Sequence, residues 1–189
     1  KGKVKFTNSI KIVKNNDLNT LLEDKISHQG IIVETKTLNY PKLDDVIDSS
    51  NIMIALDQVT DPQNVGAIIR TFSFFGGENL LITKDHSSEI NGSLAKSASG
   101  ALESVNIIKI TNLSMVLKKM KKKGFTIIGL DENSNVMLHT IKDYNNEKKV
   151  LIMGSEGKGL RRLTKENCDF LVSIANNNDS DFNTLNVSV

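Results

Sequence analysis

One cysteine, Cys168, is all the thiol chemistry that the 189 residues contain. No intramolecular disulfide can form, and the composition suits a reducing compartment. The three histidines, His28, His86 and His139, are scattered without the spacing of metal ligands, so no zinc site suggests itself and no metal is expected. No apolar run approaches the ~18 residues of a membrane helix, and residues 1–14 lack the apolar centre of a signal peptide. A soluble, cytoplasmic protein without a membrane partner is expected. Charge of one sign is also scarce: 24 Lys and Arg stand against 22 Asp and Glu, a net +2. Contact with nucleic acid must therefore come from local patches rather than a global field. What is plentiful is apolar matter, at 39% of residues, enough for the core of one domain of ordinary size.

Residues 1–40 hold short alternating stretches, a brief helical candidate at 18–22 and a strand candidate at 31–33. That is too little for an independent domain, since ~40 residues generally need staples. Residues 41–50 are polar and turn-forming and are expected to be a linker. From Asn51 the pattern changes. Apolar runs at 52–56, 80–82, 106–110, 125–130, 150–153 and 170–174 predict buried strands. Between the first two, Val65, Ile68, Ile69, Phe72 and Phe75 recur at helical spacing. Further helices are predicted over 93–102, 113–122 and 160–167. Strands alternating with helices predict an α/β fold, a mainly parallel sheet with helices on both faces. Residues 176–181, NNNDSD, read as a polar loop.

The most informative stretch is 150–162, VLIMGSEGKGLRR. A buried-strand run breaks into a loop with Gly154, Gly157 and Gly159, and a helical pattern follows. Such strand–glycine loop–helix units are where open α/β sheets bind ligands. The spacing fits neither the G-x-G-x-x-G dinucleotide fingerprint nor a P-loop, because Leu160 and Arg161 follow the last glycine. Glu156 also places a carboxylate where either motif would hold phosphate. The loop is built for something other than a nucleoside triphosphate.

A second stretch, 57–70, reads DQVTDPQNVGAIIR. Asp61 and Pro62 suit a type I turn and Asn64 suits a helix N-cap. Arg70 lies off the apolar stripe, on a face opened by Gly66 and Ser73. That opening leaves room for a flat ligand or backbone beside a guanidinium, which favours phosphate or carboxylate recognition. The KKMKKK run at 118–123 complements a helix C-terminus and reads as a solvated end. Arg161 and Arg162 fit RNA contact and solvated charge equally. Cys168, with no base placed near it in sequence, reads as structural.

DPQNVGAIIR, IMGSEGKGLRRLT and the terminal LNVSV, in this order and spacing, resemble the three motifs of the SpoU family, the SPOUT-class RNA ribose 2′-O-methyltransferases. HQGI at 28–31, the stretch 90–105 and RRLTKENCD at 161–169 look closer still to the bacterial 23S rRNA guanosine-2′-O-methyltransferases. The resemblance implies a C-terminal trefoil knot, a rare exception to unthreaded chains, holding S-adenosylmethionine, with a homodimer completing each site. It implies cofactor contacts from the backbone of Gly154, Ile174 and Leu185. Asn64, Arg70, Glu156, Thr184 and Asn186 would occupy catalytic or essential positions, and Arg70, Arg161 and Arg162 would meet RNA. Residues 1–40 would be the remnant of a ribosomal-protein-like RNA-binding domain. Residues 51–189 would be the methyltransferase domain, ending before the helix that closes the family's knot. A tRNA ribose methyltransferase, or a non-catalytic RNA-binding module, are the rival expectations.

Overall fold

The computed structural model describes residues 10–22, 28, 30–34, 38–141, 147–174 and 186–188. The chain divides into two compact units, 1–38 and 39–189. In the first, helix α1 (Asn15–Leu21) starts with the Asp17 carboxylate accepting the Lys14 N–H at 3.2 Å. His28 accepts the Gly30 N–H at Nδ1 (2.9 Å), so its Nε2 donates to Asn19 Oδ1 (3.0 Å). The strand expected at 31–33 does not form: these residues pair with no sheet, and Ile31 and Val33 are exposed.

The second unit contains a six-stranded, wholly parallel sheet. Its strands are β1 (Ile52–Asp57), β2 (Asn79–Thr83), β3 (Asn106–Ile110), β4 (Thr126–Leu130), β5 (Lys149–Gly154) and β6 (Phe170–Val172), in the order β3-β2-β1-β5-β4-β6. The connecting helices are α3 (Pro62–Phe74), α4 (Gly92–Ala98), α5 (Leu113–Lys122) and α6 (Arg162–Asn167). Because strand side chains alternate between faces, β1 serves two cores. Met53 and Ala55 join a cluster with Leu113, Leu117 and Met120 of α5. Ile54 and Leu56 point the other way and are equally buried, as is the Val65/Ile68/Ile69/Phe72 stripe of α3. Each fully buried Leu or Ile contributes roughly 1.5–3 kcal/mol, so the strands read as near-continuous apolar runs.

Four more expectations change here. Residues 41–50 are no extended connection: Leu43–Val46 form helix α2, and Leu43 and Ile47 enter the α5 core. Phe75 leaves the stripe, since α3 ends at Phe74 and Gly76 takes φ +78°; Phe74 and Phe75 stand exposed, edge to face. The predicted helix 93–102 stops at Ala98, where Ser99 and Gly100 adopt left-handed conformations before a 3-10 turn at Ala101–Glu103. The lysine run is also more than a solvated end. Lys119 pairs with Asp44, Lys123 with Asp48 (2.8 Å) and Lys121 with Asp169 (2.7 Å). These pairs tie α5 to the α2 turn and to the start of β6.

Candidate active site

β1 and β5 finish side by side, with Asp57 in register with Gly154. At this pair the strand order reverses, β2 and β3 lying to one side and β4 and β6 to the other. Open parallel sheets take ligands at such points, because the loops leaving the two strands diverge.

The loop after β1 leads into α3. Gln58 takes φ +62°, turning the chain sharply behind Asp57. Asp61, not Asn64, caps the helix: its carboxylate accepts the Gln63 N–H at 3.0 Å, and Pro62 fills the first helical position, where an N–H is not needed. Asn64 is thereby released from capping. Its side chain is buried and donates from Nδ2 to Glu156 Oε1 at 2.9 Å. The same oxygen accepts from Asn186 Nδ2 at 2.5 Å, while Asn186 Oδ1 accepts the Ser188 N–H at 2.8 Å. Residues 92 and 30 positions apart in sequence thus meet on one carboxylate oxygen, leaving Glu156 Oε2 outside this pairing.

Glu156 rides on a loop with a closed neck. Ser155 and Gly159 form an antiparallel bridge, with the Gly159 N–H donating to Ser155 O at 2.8 Å. Gly157 and Gly159 take φ +75° and +63°, conformations that side chains disfavour. A Cβ on Gly154 would lie 2.3–2.6 Å from backbone atoms of Gly159 and Leu160. The space that this glycine opens is filled by the loop's own return. Leu160 is buried and precedes α6, which begins at Arg162 rather than at 160.

Asp57 is fully buried, and it accepts twice from one residue: the Arg161 N–H reaches Oδ2 at 3.0 Å and Arg161 Nε reaches Oδ1 at 2.6 Å. Arg161 is therefore partly engaged, with its side chain 45% exposed. Arg162 is more open and pairs with Glu166 one turn on. Both arginines line a cleft of about 350 Å3 between the first turns of α5 and α6, which includes neither Asn64, Glu156 nor Asn186.

Arg70 is exposed and, among the described residues, has no hydrogen-bond or ion-pair partner. Six residues along a helix with 3.6 per turn turn it about 120° from Asn64, so the two side chains occupy different faces of α3. The opening beside it belongs to the protein. A Cβ on Gly66 would meet Ser97 and Leu94 of α4 at 2.6–2.7 Å, and Ser97 Oγ donates to Gln63 O at 2.8 Å. Of the two occupants expected there, ligand or backbone, α4 is the one present.

Ile174 follows Ser173, which bridges to Met137, and Leu138 N–H donates to Ser173 O at 2.8 Å. Ile174, Val136 and Leu138 are exposed apolar side chains around this bridge. Thr184 and Leu185 lie outside the described residues, as does most of the segment where the trefoil knot is expected. Cys168 is half-buried; burial pushes its thiol up to about 11, which disfavours the nucleophilic thiolate. Among the described residues, no three His, Cys, Asp or Glu side chains cluster as metal ligands, and no helix is long and apolar enough to cross a membrane.

Two features were missed in sequence. Asp57 ends an otherwise apolar run, IMIALD, and a carboxylate closing a buried strand was a usable signal. Val136 and Leu138 sit in a polar loop without periodicity and gave none.

The family model of the SpoU rRNA methylases matches residues 51–189. The chain belongs to the SpoU rRNA methylase family. A 23S rRNA (guanosine-2′-O-)-methyltransferase, RlmB, of Ralstonia nicotianae is 39% identical over 86% of this chain. Its namesake in Pseudomonas aeruginosa is 35% identical over the same share. The chain spans 65% and 66% of these two relatives' own lengths. Among solved structures, an AdoMet-bound rRNA methyltransferase from Sinorhizobium meliloti superposes with a TM-score of 0.70 at 24% identity, over 79% of this chain and 56% of that one. The SpoU methyltransferase AviRb from Streptomyces viridochromogenes gives 0.68 at 21% identity, over 80% and 60%. Both structures share the fold, and the α/β expectation is met.

Proposed function

We propose that this chain carries the catalytic domain of an S-adenosylmethionine-dependent RNA 2′-O-methyltransferase, acting on a guanosine of 23S rRNA in the cytoplasm. The observation that carries the reading is the convergence of Asn64, Glu156 and Asn186 on one carboxylate oxygen at the end of β1 and β5. A non-catalytic RNA-binding module has no need of this group, nor of a glycine loop folded to present it. The residues fit the cofactor's chemistry. A carboxylate suits a sulfonium cation and would be wrong for a phosphate, and exposed Ile174, Val136 and Leu138 suit an adenosine. Gly154, Ile174 and Leu185 would hold it through their backbones. When bound, S-adenosylmethionine supplies an electrophilic methyl group.

The chain's own task is to make a ribose hydroxyl a competent nucleophile. A 2′-hydroxyl attacks well only as its proton is lost or shared, so the site must stabilise developing alkoxide charge. Arg70 is suited to that role and to gripping the adjacent RNA phosphate, because its five donors form a fixed fork. A guanidinium does not give up its proton, so Arg70 acts as an electrostatic stabiliser rather than as a general base. Asn64 and Asn186 orient Glu156, and Thr184 adds a hydroxyl nearby in sequence. Exposed Arg162, and the exposed part of Arg161, extend positive charge for RNA.

Arg70 and Asn64 lie on different faces of α3, which supports a homodimer in which the Arg70 of one subunit serves the site of the other. On this reading residues 1–40 belong to a ribosomal-protein-like RNA-binding domain.

The test uses methyl-labelled S-adenosylmethionine with unmodified 23S rRNA and, separately, unmodified tRNA. Alkaline hydrolysis of methylated rRNA is expected to leave a labelled dinucleotide, since a methylated 2′-oxygen cannot attack its neighbouring phosphate. Label in tRNA alone would move the protein to the tRNA ribose methyltransferases. Label in neither, with no binding of S-adenosylhomocysteine by calorimetry, would leave the binding module as the better account.

A further inference from the structure

The loop that presents Glu156 leaves β5 at Gly154 and returns at Arg161, and both ends lie beside the last residue of β1. Asp57 is in register with Gly154 on one side and accepts both the main-chain N–H and the side-chain Nε of Arg161 on the other. We infer that Asp57 and Arg161 form a clamp that closes the neck of the glycine loop and so positions Glu156 for Asn64 and Asn186. Asp57 is a positioning residue: its hydrogen bonds go to Arg161 and not to Asn64, Glu156 or Asn186, and it acts through the loop between.

Four observations support the clamp. Asp57 has no exposed surface, and a buried carboxylate persists only where charge and hydrogen bonds compensate it. Both of its oxygens are spent on one residue, one on the main chain and one on the guanidinium, so backbone and side chain of Arg161 are fixed together. The other neck contacts are few: a single Ser155–Gly159 bridge and the burial of Leu160, which is non-directional and does not fix the register of the neck. Finally, Gln58 is held at φ +62° directly behind the carboxylate, a conformation that persists only where the surroundings over-determine it. Glu156 itself is exposed, so apart from its bonds to Asn64 and Asn186 the neck is what limits where the loop tip goes.

The inference rests on the proposed function only where it concerns cofactor affinity; the clamp itself is tested separately. Hydrogen exchange read by mass spectrometry on peptides covering 154–161 reports the neck, with peptides from β2 and β3 as internal references. Asp57→Asn puts an amide donor against the Arg161 donors, and Arg161→Ala removes the side-chain arm. Both are expected to raise exchange in 154–161 about tenfold or more, with β2 and β3 unchanged. Arg161→Lys keeps the backbone arm and a charge and is expected to retain most of the protection. Calorimetry with S-adenosylhomocysteine is expected to show a similar loss of affinity, about tenfold, in Asp57→Asn and Arg161→Ala. The double variant should be no worse than either single, as coupled partners require.

Wild-type exchange in 154–161 for Arg161→Ala, or additive losses in the double variant, would overturn the clamp. If Asp57→Asn fails to fold, the contrast between Arg161→Ala and Arg161→Lys decides, and equal exchange in the two would count against it. If the wild-type protein does not bind S-adenosylhomocysteine, the proposed function fails while the exchange result still judges the clamp.

Discussion

The chain has two basic regions, and they differ in what their charges face. The denser one, Lys118–Lys123, looks like a nucleic-acid patch, yet Lys119, Lys121 and Lys123 each meet a carboxylate of a neighbouring element. The sparser one holds Arg161 and Arg162 beyond the end of β5 and Arg70 about two turns along α3. There Arg70 has no partner among the described residues, and Arg161 faces a buried aspartate. Charge density along a sequence therefore says little about binding. What decides is whether the fold supplies the counter-charge, as it does along α5, or supplies none among the described residues, as at Arg70.

The largest contrast is expected at Arg70. Arg70→Ala should lower kcat for RNA methylation by about 10²–10³-fold, the loss typical of removing one oxyanion donor. Its stability should stay within about 0.5 kcal/mol, as for surface changes away from special features. Arg70→Lys keeps a charge but loses the fork, so it should recover only part of the rate; near-wild-type turnover would reduce Arg70 to a point charge. Next comes Lys121→Met, which should cost less than about 1 kcal/mol by thermal melting, because exposed ion pairs contribute little. Lys119→Met and Lys123→Met should leave RNA affinity and its salt dependence unchanged in filter binding. A salt slope reduced by about one in either would place the lysine run on the RNA.

The smallest effect concerns Cys168. Burial holds its thiol near 11, against 9.0 for the free side chain, and Lys121 opposes the rise. A group whose folded pKa is raised keeps its contribution below the unfolded value, so stability should be full below pH 9 and decline as pH climbs toward 11. Alkylation by iodoacetamide at pH 8 should be slow in the native protein and fast after unfolding. In Lys121→Met the alkaline decline should begin at the same pH but extend to higher pH; an unchanged or earlier end would show that Lys121 does not act on the thiol.

Much of the sheet was legible because parallel strands buried on both faces read as apolar runs. β3 and α5 match their predicted spans, and the other strands differ by one or two residues. The α2 turn was missed although Leu43, Val46 and Ile47 stand at i, i+3 and i+4, because one turn in polar text is too short for that spacing to be read as a helix. At the site, the residues carried by the family resemblance could be named, but not their grouping. Asn64 looked like a cap because local rules allow it. Asp61 takes that role, and a partner 92 residues away, Glu156, takes the amide. Arg161 looked like free charge because its counter-charge lies 104 residues upstream.

That separation also bears on how the protein is made. β1 has β2, its neighbour in sequence, on one edge and the distant β5 on the other, so closing the Asp57–Arg161 contact means ordering about a hundred residues of intervening chain. Contacts of such range form late and slow the folding of parallel sheets. On the ribosome, at about 5–20 residues per second, β1 and α3 must wait several seconds before the residues that complete their site are even synthesised. During that interval the edge of β1 that β5 will cover has no strand beside it, an unpaired edge of the kind that other chains can pair with.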